Sequence, residues 1–221
     1  KFIYDDNLSS WKGETAQYWP NGGNMHFLAF NPFPTNAVIT NNNISSVGNS
    51  YIYGLVVTGD DFIIRANNIT SFGAYYANGI DIEGPATGVV YDNTIDVTGV
   101  ESAYAIYSGM NGKTVSANYT DNNITGKSYN IFGFSLGDVS SNLNDNFVDL
   151  TGNYTTGIAS RVDALAVARN NITTTGSGEG NESVWDGFGV DNVGIKVIKG
   201  LVIIENNNIT AKSARIGLIA K

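Results

Sequence analysis

Cysteine is absent from all 221 residues, which excludes disulfides, thiol nucleophiles and thiolate-held zinc and leaves the redox compartment open. Charge is scarce too. Only 14% of residues are charged, and 12 Lys plus Arg stand against 20 Asp plus Glu, a net charge of −8. That sign is wrong for gripping a phosphate backbone, so nucleic acid is excluded as a partner. No run approaches the roughly 18 apolar residues of a membrane span. The chain opens on Lys1 without a signal peptide and reads as a processed or excised soluble piece. No window of useful length carries a helical period. What the chain does have is 29 Asn and 26 Gly, with 42% apolar and 11% aromatic residues, enough to bury a core between many turns.

The asparagines are ordered. A tripeptide Asn-x-Ile/Val begins at Asn42, Asn67, Asn93, Asn122, Asn146, Asn170 and Asn207, at intervals of 25, 26, 29, 24, 24 and 37 residues. A unit of about two dozen residues, with insertions in the third and sixth copies, is the period of a solenoid. Short β-branched runs precede each tripeptide (Val38-Ile39, Phe62 to Ile64, Val89-Val90, Leu165 to Val167, Leu201 to Ile204). Others follow some ten to twelve residues later (Gly54 to Val57, Gly79 to Ile82, Ala105 to Tyr107, Gly133 to Leu136, Gly157 to Ala159, Gly217 to Ile219). Two or three short strands per unit are too close together for helical crossovers. They predict an all-β, right-handed parallel β-helix of about seven rungs over 36–221, a rod of about 30–35 Å at the usual strand spacing.

Alternation on a strand then sends Ile44, Ile69, Ile95, Ile124, Val148, Ile172 and Ile209 inward. The Asn two places earlier marks a turn. It tolerates the left-handed backbone region and can bond the Asn above and below, so a ladder of stacked amides is expected at Asn42, Asn67, Asn93, Asn122, Asn146, Asn170 and Asn207.

Asn-Asn-Ile-Thr followed by a Gly-Ile strand resembles the right-handed parallel β-helix surface proteins of methanogenic archaea, the Asn-rich, cysteine-poor adhesin-like and sheath-type proteins. The resemblance covers Asn36 to Lys221. It implies an extracellular, envelope-associated setting and no catalytic residues.

Residues 1–35 depart from the repeat. Phe2, Tyr4, Trp11, Tyr18, Trp19, Phe27, Phe30 and Phe33 crowd a segment broken by Pro20, Pro32 and Pro34, which reads as an aromatic-rich N-terminal cap over the first rung. The sharper alternative is an aromatic platform for a carbohydrate or a neighbouring subunit.

Parallel β-helices host many polysaccharide lyases and hydrolases, so catalysis is judged on residues. The columns through Asp81 and Glu83 pair no two acids across rungs. Asp96 and Asp149 share an outward column two rungs apart, roughly 9–10 Å, which touches the inverting-glycosidase range. The column otherwise holds Ser and Thr and reads as a solvated hydroxyl ladder. His26 is the single histidine, and it lies outside any Gly-His-Gly element. Asp60-Asp61 beside Gly59 lacks a calcium β-roll pattern. No catalytic residue, metal site or cofactor is therefore assigned.

Of the nine Asn-x-Ser/Thr sequons, five follow automatically from the repeat; of the other four, Asn7, Asn118, Asn153 and Asn181, the last three are the loop candidates for glycosylation. Thr174 to Asp186 reads as a projecting, acidic insertion with Trp185. Leu201, Val202, Ile203, Ile204, Leu218 and Ile219 make a strongly apolar final rung, an expected assembly surface for head-to-tail contact with copies of the same chain. The function expected is a non-enzymatic structural protein of the cell surface, a self-assembling sheath-like subunit or an adhesin repeat domain, with surface polysaccharide as a further partner. The alternative is a carbohydrate-active enzyme on the same scaffold. A third variant, a carbohydrate-binding adhesin, looks to Tyr53, Tyr76 and Tyr104 for an exposed aromatic column.

Overall fold

The computed structural model describes residues 3–4, 25–29, 37–109, 114–178, 192–212 and 218–220, the first, second and last of these as backbone alone. The described residues are all-β, 78% strand and without helix, with parallel strands stacked as a β-solenoid of about five turns. About seven were expected, because seven tripeptides count corners. Seven corners bound only six intervals, and the last, 37 residues from Asn170 to Asn207, includes 179–191, which lie outside the described residues.

Each turn has three sides. The first side is built from Asn43–Gly48, Asn68–Gly73, Thr94–Gly99, Asn171–Gly176, Asn208–Lys212 and the opening halves of Asn123–Leu136 and Phe147–Ser160. The closing halves of those two strands begin the second side. Ser102–Ser108, Val193–Val197 and the opening halves of Tyr51–Arg65 and Tyr76–Tyr91 continue it. The third side takes the remaining halves with Val38–Thr40, Val115–Thr120, Ser140–Asn144, Ala164–Ala168 and Leu201–Glu205. Every pairing is parallel and joins a strand to its counterpart one turn away.

The first and third sides alternate, burying every second residue, which is the period-2 signal the sequence carries. On the first side Ile44, Ile69, Ile95, Ile124, Val148 and Ile172 stack in register with no exposed surface, and Ile209 is half-buried at the end of the column. Each fully buried Ile contributes about 1.5–3 kcal/mol of apolar transfer. Opposite them the second side must come close. At Gly79 an added Cβ would lie 2.6 Å from both the Ala105 carbonyl and Ile95 Cγ2, and at Gly157 2.4 Å from Ile172 Cγ2, so the Gly-Ile pattern is a clearance requirement.

The second side does not alternate. Tyr104 and Phe132, which face away from the main core, are 5% and 2% exposed and stack at 4.8 Å between ring centroids. Together with Ala159, Tyr76, Tyr107 and Ile198 they form a second, smaller core, so both faces of this side are buried.

Met25–Ala29 pairs in parallel with Tyr51–Arg65, and Ile3–Tyr4 with Val38–Thr40, so the sheet runs on across the expected boundary at residue 35. The rest of that aromatic segment lies outside the described residues. The insertion expected from Thr174 begins later, since Asn171–Gly176 is still strand; Ser177 and Gly178 follow it, and 179–186 lie outside the described residues. Val193–Val197, not singled out from the sequence, supplies the second-side strand between Gly157-Ile158 and Leu218–Ala220.

Candidate functional site

The corner between the third and first sides carries the stacked asparagines. Asn42, Asn67, Asn93, Asn122, Asn146 and Asn170 are each 1% exposed, and Asn207 is half-buried. The Nδ2 of each donates to the Oδ1 of the next at 2.9–3.0 Å, from Asn42 through to Asn207. The same Oδ1 atoms accept the backbone N–H of the preceding ladder residue at 2.8–3.2 Å. A second Nδ2 hydrogen reaches back to a carbonyl of the previous turn, as from Asn122 to Val90 at 2.9 Å. The left-handed backbone, however, sits one residue earlier than expected: Asn41, Ala66, Asp92, Asp121, Asp145, Arg169 and Asn206 have φ between 53° and 58°. The bend is made by that residue, which frees the ladder Asn to turn its amide inward. Asn and Asp tolerate this conformation through local bonding; Ala66 and Arg169 hold it against a cost of about 1–2 kcal/mol. Arg169 forks onto Asp145 one turn away at 2.7 and 2.6 Å, both side chains exposed, and this guanidinium holds the Asp145 carboxyl below its ordinary value.

The carboxylates spread over the coil. Asp96 and Asp149 are exposed and stand two turns apart, with Thr125 between them donating its hydroxyl to Asp96 at 3.0 Å. Asp60 and Asp61 are exposed at a bend where Gly59 has φ 106°; Thr87 Oγ1 donates to Asp60 at 3.4 Å and accepts from the Asp61 N–H at 3.1 Å. Among the described residues no group of three or more His, Asp or Glu is placed to hold a metal ion. Asp81 and Glu83 are a further pair of acids, both on Tyr76–Tyr91. They lie two residues apart along one strand, an arrangement that a comparison across rungs overlooks. Asp81 is 7% exposed and accepts from Asn78 Nδ2 at 3.4 Å.

The neighbouring phenols respond to that setting. Tyr53 is pushed up to about 12 by burial, reinforced by Asp81 and Glu83, and Tyr76 is raised by burial and then by Tyr104 and Tyr107. Both stay protonated at neutral pH and serve as hydrogen-bond donors rather than bases. Tyr53 and Tyr76 are half-buried and Tyr104 is buried, so the aromatic column that an adhesin reading calls for is not exposed there.

One polar cluster has no counterpart in the sequence reading. Asp138, 2% exposed inside the coil, accepts from Ser108 at 2.7 Å, Ser141 at 2.5 Å and Tyr119 at 3.0 Å, while Tyr119 is also 2.9 Å from Ser108. All its partners are hydroxyls. Burial raises the Asp138 carboxyl and the Tyr119 phenol above their ordinary values. Gly109, at φ +64°, makes room, since a Cβ there would lie 2.5 Å from Asp138 Oδ1. The four residues come from two neighbouring units and the set does not recur in the others, so no periodic signal announces them.

Of the glycosylation candidates, Asn118 is exposed and accepts from Asn142 Nδ2 at 2.6 Å, whereas Asn153 is half-buried and accepts from Ser177 Oγ at 2.9 Å. Asn181 lies outside the described residues. At the last rung, Leu201–Glu205, Asn208–Lys212 and Leu218–Ala220 each pair with the preceding turn only, among the described residues. Leu201 and Ile203 are 74% and 56% exposed, and Val202 and Ile204 are half-buried. For Leu218 and Ile219 the backbone alone is described.

No family model, no curated protein and no solved structure matches this chain.

Proposed function

We propose that the protein is a non-enzymatic structural element of a cell envelope, extracellular, working as a sheath-type subunit or an adhesin repeat domain that joins end to end with copies of itself. One observation carries this reading: among the described residues Leu201–Glu205 and Asn208–Lys212 pair with the preceding turn alone, beside Leu201 and Ile203 at 74% and 56% exposure. Open backbone donors and acceptors next to exposed apolar side chains template strand addition. The contact is head-to-tail and heterologous, giving a ring if the rotation closes and a fibre or hoop if it does not. The likeness of the repeat to methanogen surface β-helices supports the envelope setting.

Sedimentation and negative-stain microscopy on the intact chain test the reading. Concentration-dependent stacking that survives high salt is expected, because backbone pairing and apolar contact are insensitive to screening. Leu201→Lys with Ile203→Lys should abolish it. A parent that stays monomeric at high concentration would overturn it.

The competing reading is a polysaccharide lyase or glycoside hydrolase using Asp81 and Glu83. The small exposed surface of Asp81 speaks against it, and polysaccharide cleavage lost in Asp81→Asn would speak for it.

A further inference from the structure

Among the described residues, six of the ten exposed large apolar side chains lie along one edge of the coil. Val47, Tyr51, Phe72, Tyr75, Val100 and Tyr129 all lie at or beside the corner between the first and second sides, with Tyr75 and Tyr129 at 51% and 52% exposure. Register makes this a line parallel to the rod. The Glu101 N–H donates to the Tyr75 carbonyl at 3.3 Å and the Asn130 N–H to that of Glu101 at 2.9 Å, so Tyr75, Glu101 and Tyr129 share a column. Tyr75 and Tyr129 therefore stand two rungs apart, roughly 9–10 Å. Their rings are held in place. Tyr51 lies 6.0 Å from Tyr75 and 5.6 Å from Tyr76, and Tyr154 meets Tyr129 edge-on at 5.4 Å.

The first side flanking this ridge carries hydroxyls in register, Ser45, Thr70 and Thr125 in one column with Asp96 and, nearest the corner, Thr98 beside Lys127; its Asn columns, Asn43 with Asn68 and Asn171 with Asn208, stand at the far edge by the ladder. Asp96 on that side and Glu101 at the corner outnumber the exposed Lys127 beside Tyr129, and on a chain of net charge −8 they disfavour a polyanion. Half-exposed rigid phenols offer a flat apolar face and a polar rim at little entropic cost.

We propose that this corner binds a linear, uncharged polysaccharide lying along the rod, its pyranose rings stacked on Tyr75 and Tyr129 and its hydroxyls bonded to the hydroxyl-bearing side chains beside them. Two rungs match the length of a disaccharide, so alternate sugar rings meet an aromatic. The ridge runs along the flank and is independent of any end-to-end contact.

Affinity electrophoresis of the full chain through gels containing hydroxyethylcellulose, galactomannan or polygalacturonate tests the proposal. Retardation is expected in at least one neutral gel and not in polygalacturonate. Tyr75→Ala with Tyr129→Ala should weaken it at least tenfold with an unchanged thermal melt, and the corresponding Phe pair should retain it. The Leu201→Lys, Ile203→Lys variant should be retarded like the parent, which separates this site from the end contact. Free migration in both neutral gels, or retardation indifferent to the Ala pair, would overturn the proposal. So would an Ala pair that alters oligomeric state and leaves retardation unchanged, since the corner would then be a lateral protein contact.

Discussion

A carboxamide carries a donor and an acceptor on one planar group, and the ladder uses both at every step. Asn122 donates to Asn146 and Val90 and accepts from the N–H and Nδ2 of Asn93. Asn122→Asp keeps the shape but turns donors into acceptors, setting oxygen against the Asn146 and Val90 oxygens. Each unsatisfied buried group costs about 1–3 kcal/mol, so urea unfolding should report a loss of at least ~3 kcal/mol for Asp, more than for Ala. A loss under 1 kcal/mol would mean that the corner does not depend on the ladder. Asp138 gives the opposite case, a carboxyl raised by burial among hydroxyls. Stability from its neutral form is complete below the unfolded value near 3.9 and is lost as pH rises through the higher folded value. Asp138→Asn cannot ionise, so its urea midpoint should gain on the parent's as pH goes from 4 to 8. A difference flat with pH would contradict this. The ladder was legible in the sequence because it recurs seven times. The left-handed residue beside it was not, because Asn, Ala, Asp and Arg all occupy that position and only backbone geometry unites them.

Strands of the first and third sides follow the alternation of their residues, and the second side follows another rule. It is pressed against the Ile column on one face and carries a small aromatic core on the other, so its sequence shows Gly at the close approach and Tyr or Phe behind. This is why Asp81 and the tyrosines near it could be placed in columns from sequence but not assigned an environment. The Gly requirement makes a coupled prediction. Gly157→Ala should destabilise by about 1–3 kcal/mol through overpacking against Ile172. Adding Ile172→Ala removes the Cγ2 that the new methyl meets, so the double variant should lose less than the sum of the single losses. Additive losses in denaturant titrations would show that the Gly194 carbonyl, 2.5 Å from the same Cβ position, sets the limit.

Across the whole molecule each turn touches its immediate neighbours, so stability accumulates turn by turn and falls away at the ends. Amide exchange should be slowest near Ile95, Ile124 and Val148, and fastest along Leu201–Glu205 and Asn208–Lys212, where Val202, Ile204 and Ile209 are only half-buried. Uniform protection from Asn42 to Lys212 would imply all-or-none unfolding instead. The fold was readable because a repeat multiplies a weak local signal, whereas the Asp138 cluster and the tyrosine corner are written once and needed coordinates. The ladder finally gives the rod a direction. Each ladder amide from Asn42 to Asn170 donates to the Asn of the later turn, so the dipoles of the ladder add along the axis rather than cancel. Two rods meeting like end to like end would oppose those dipoles and run their strands antiparallel, whereas the head of one upon the tail of the next continues both. A filament of such units is polar, with two unlike tips that can grow at unlike rates.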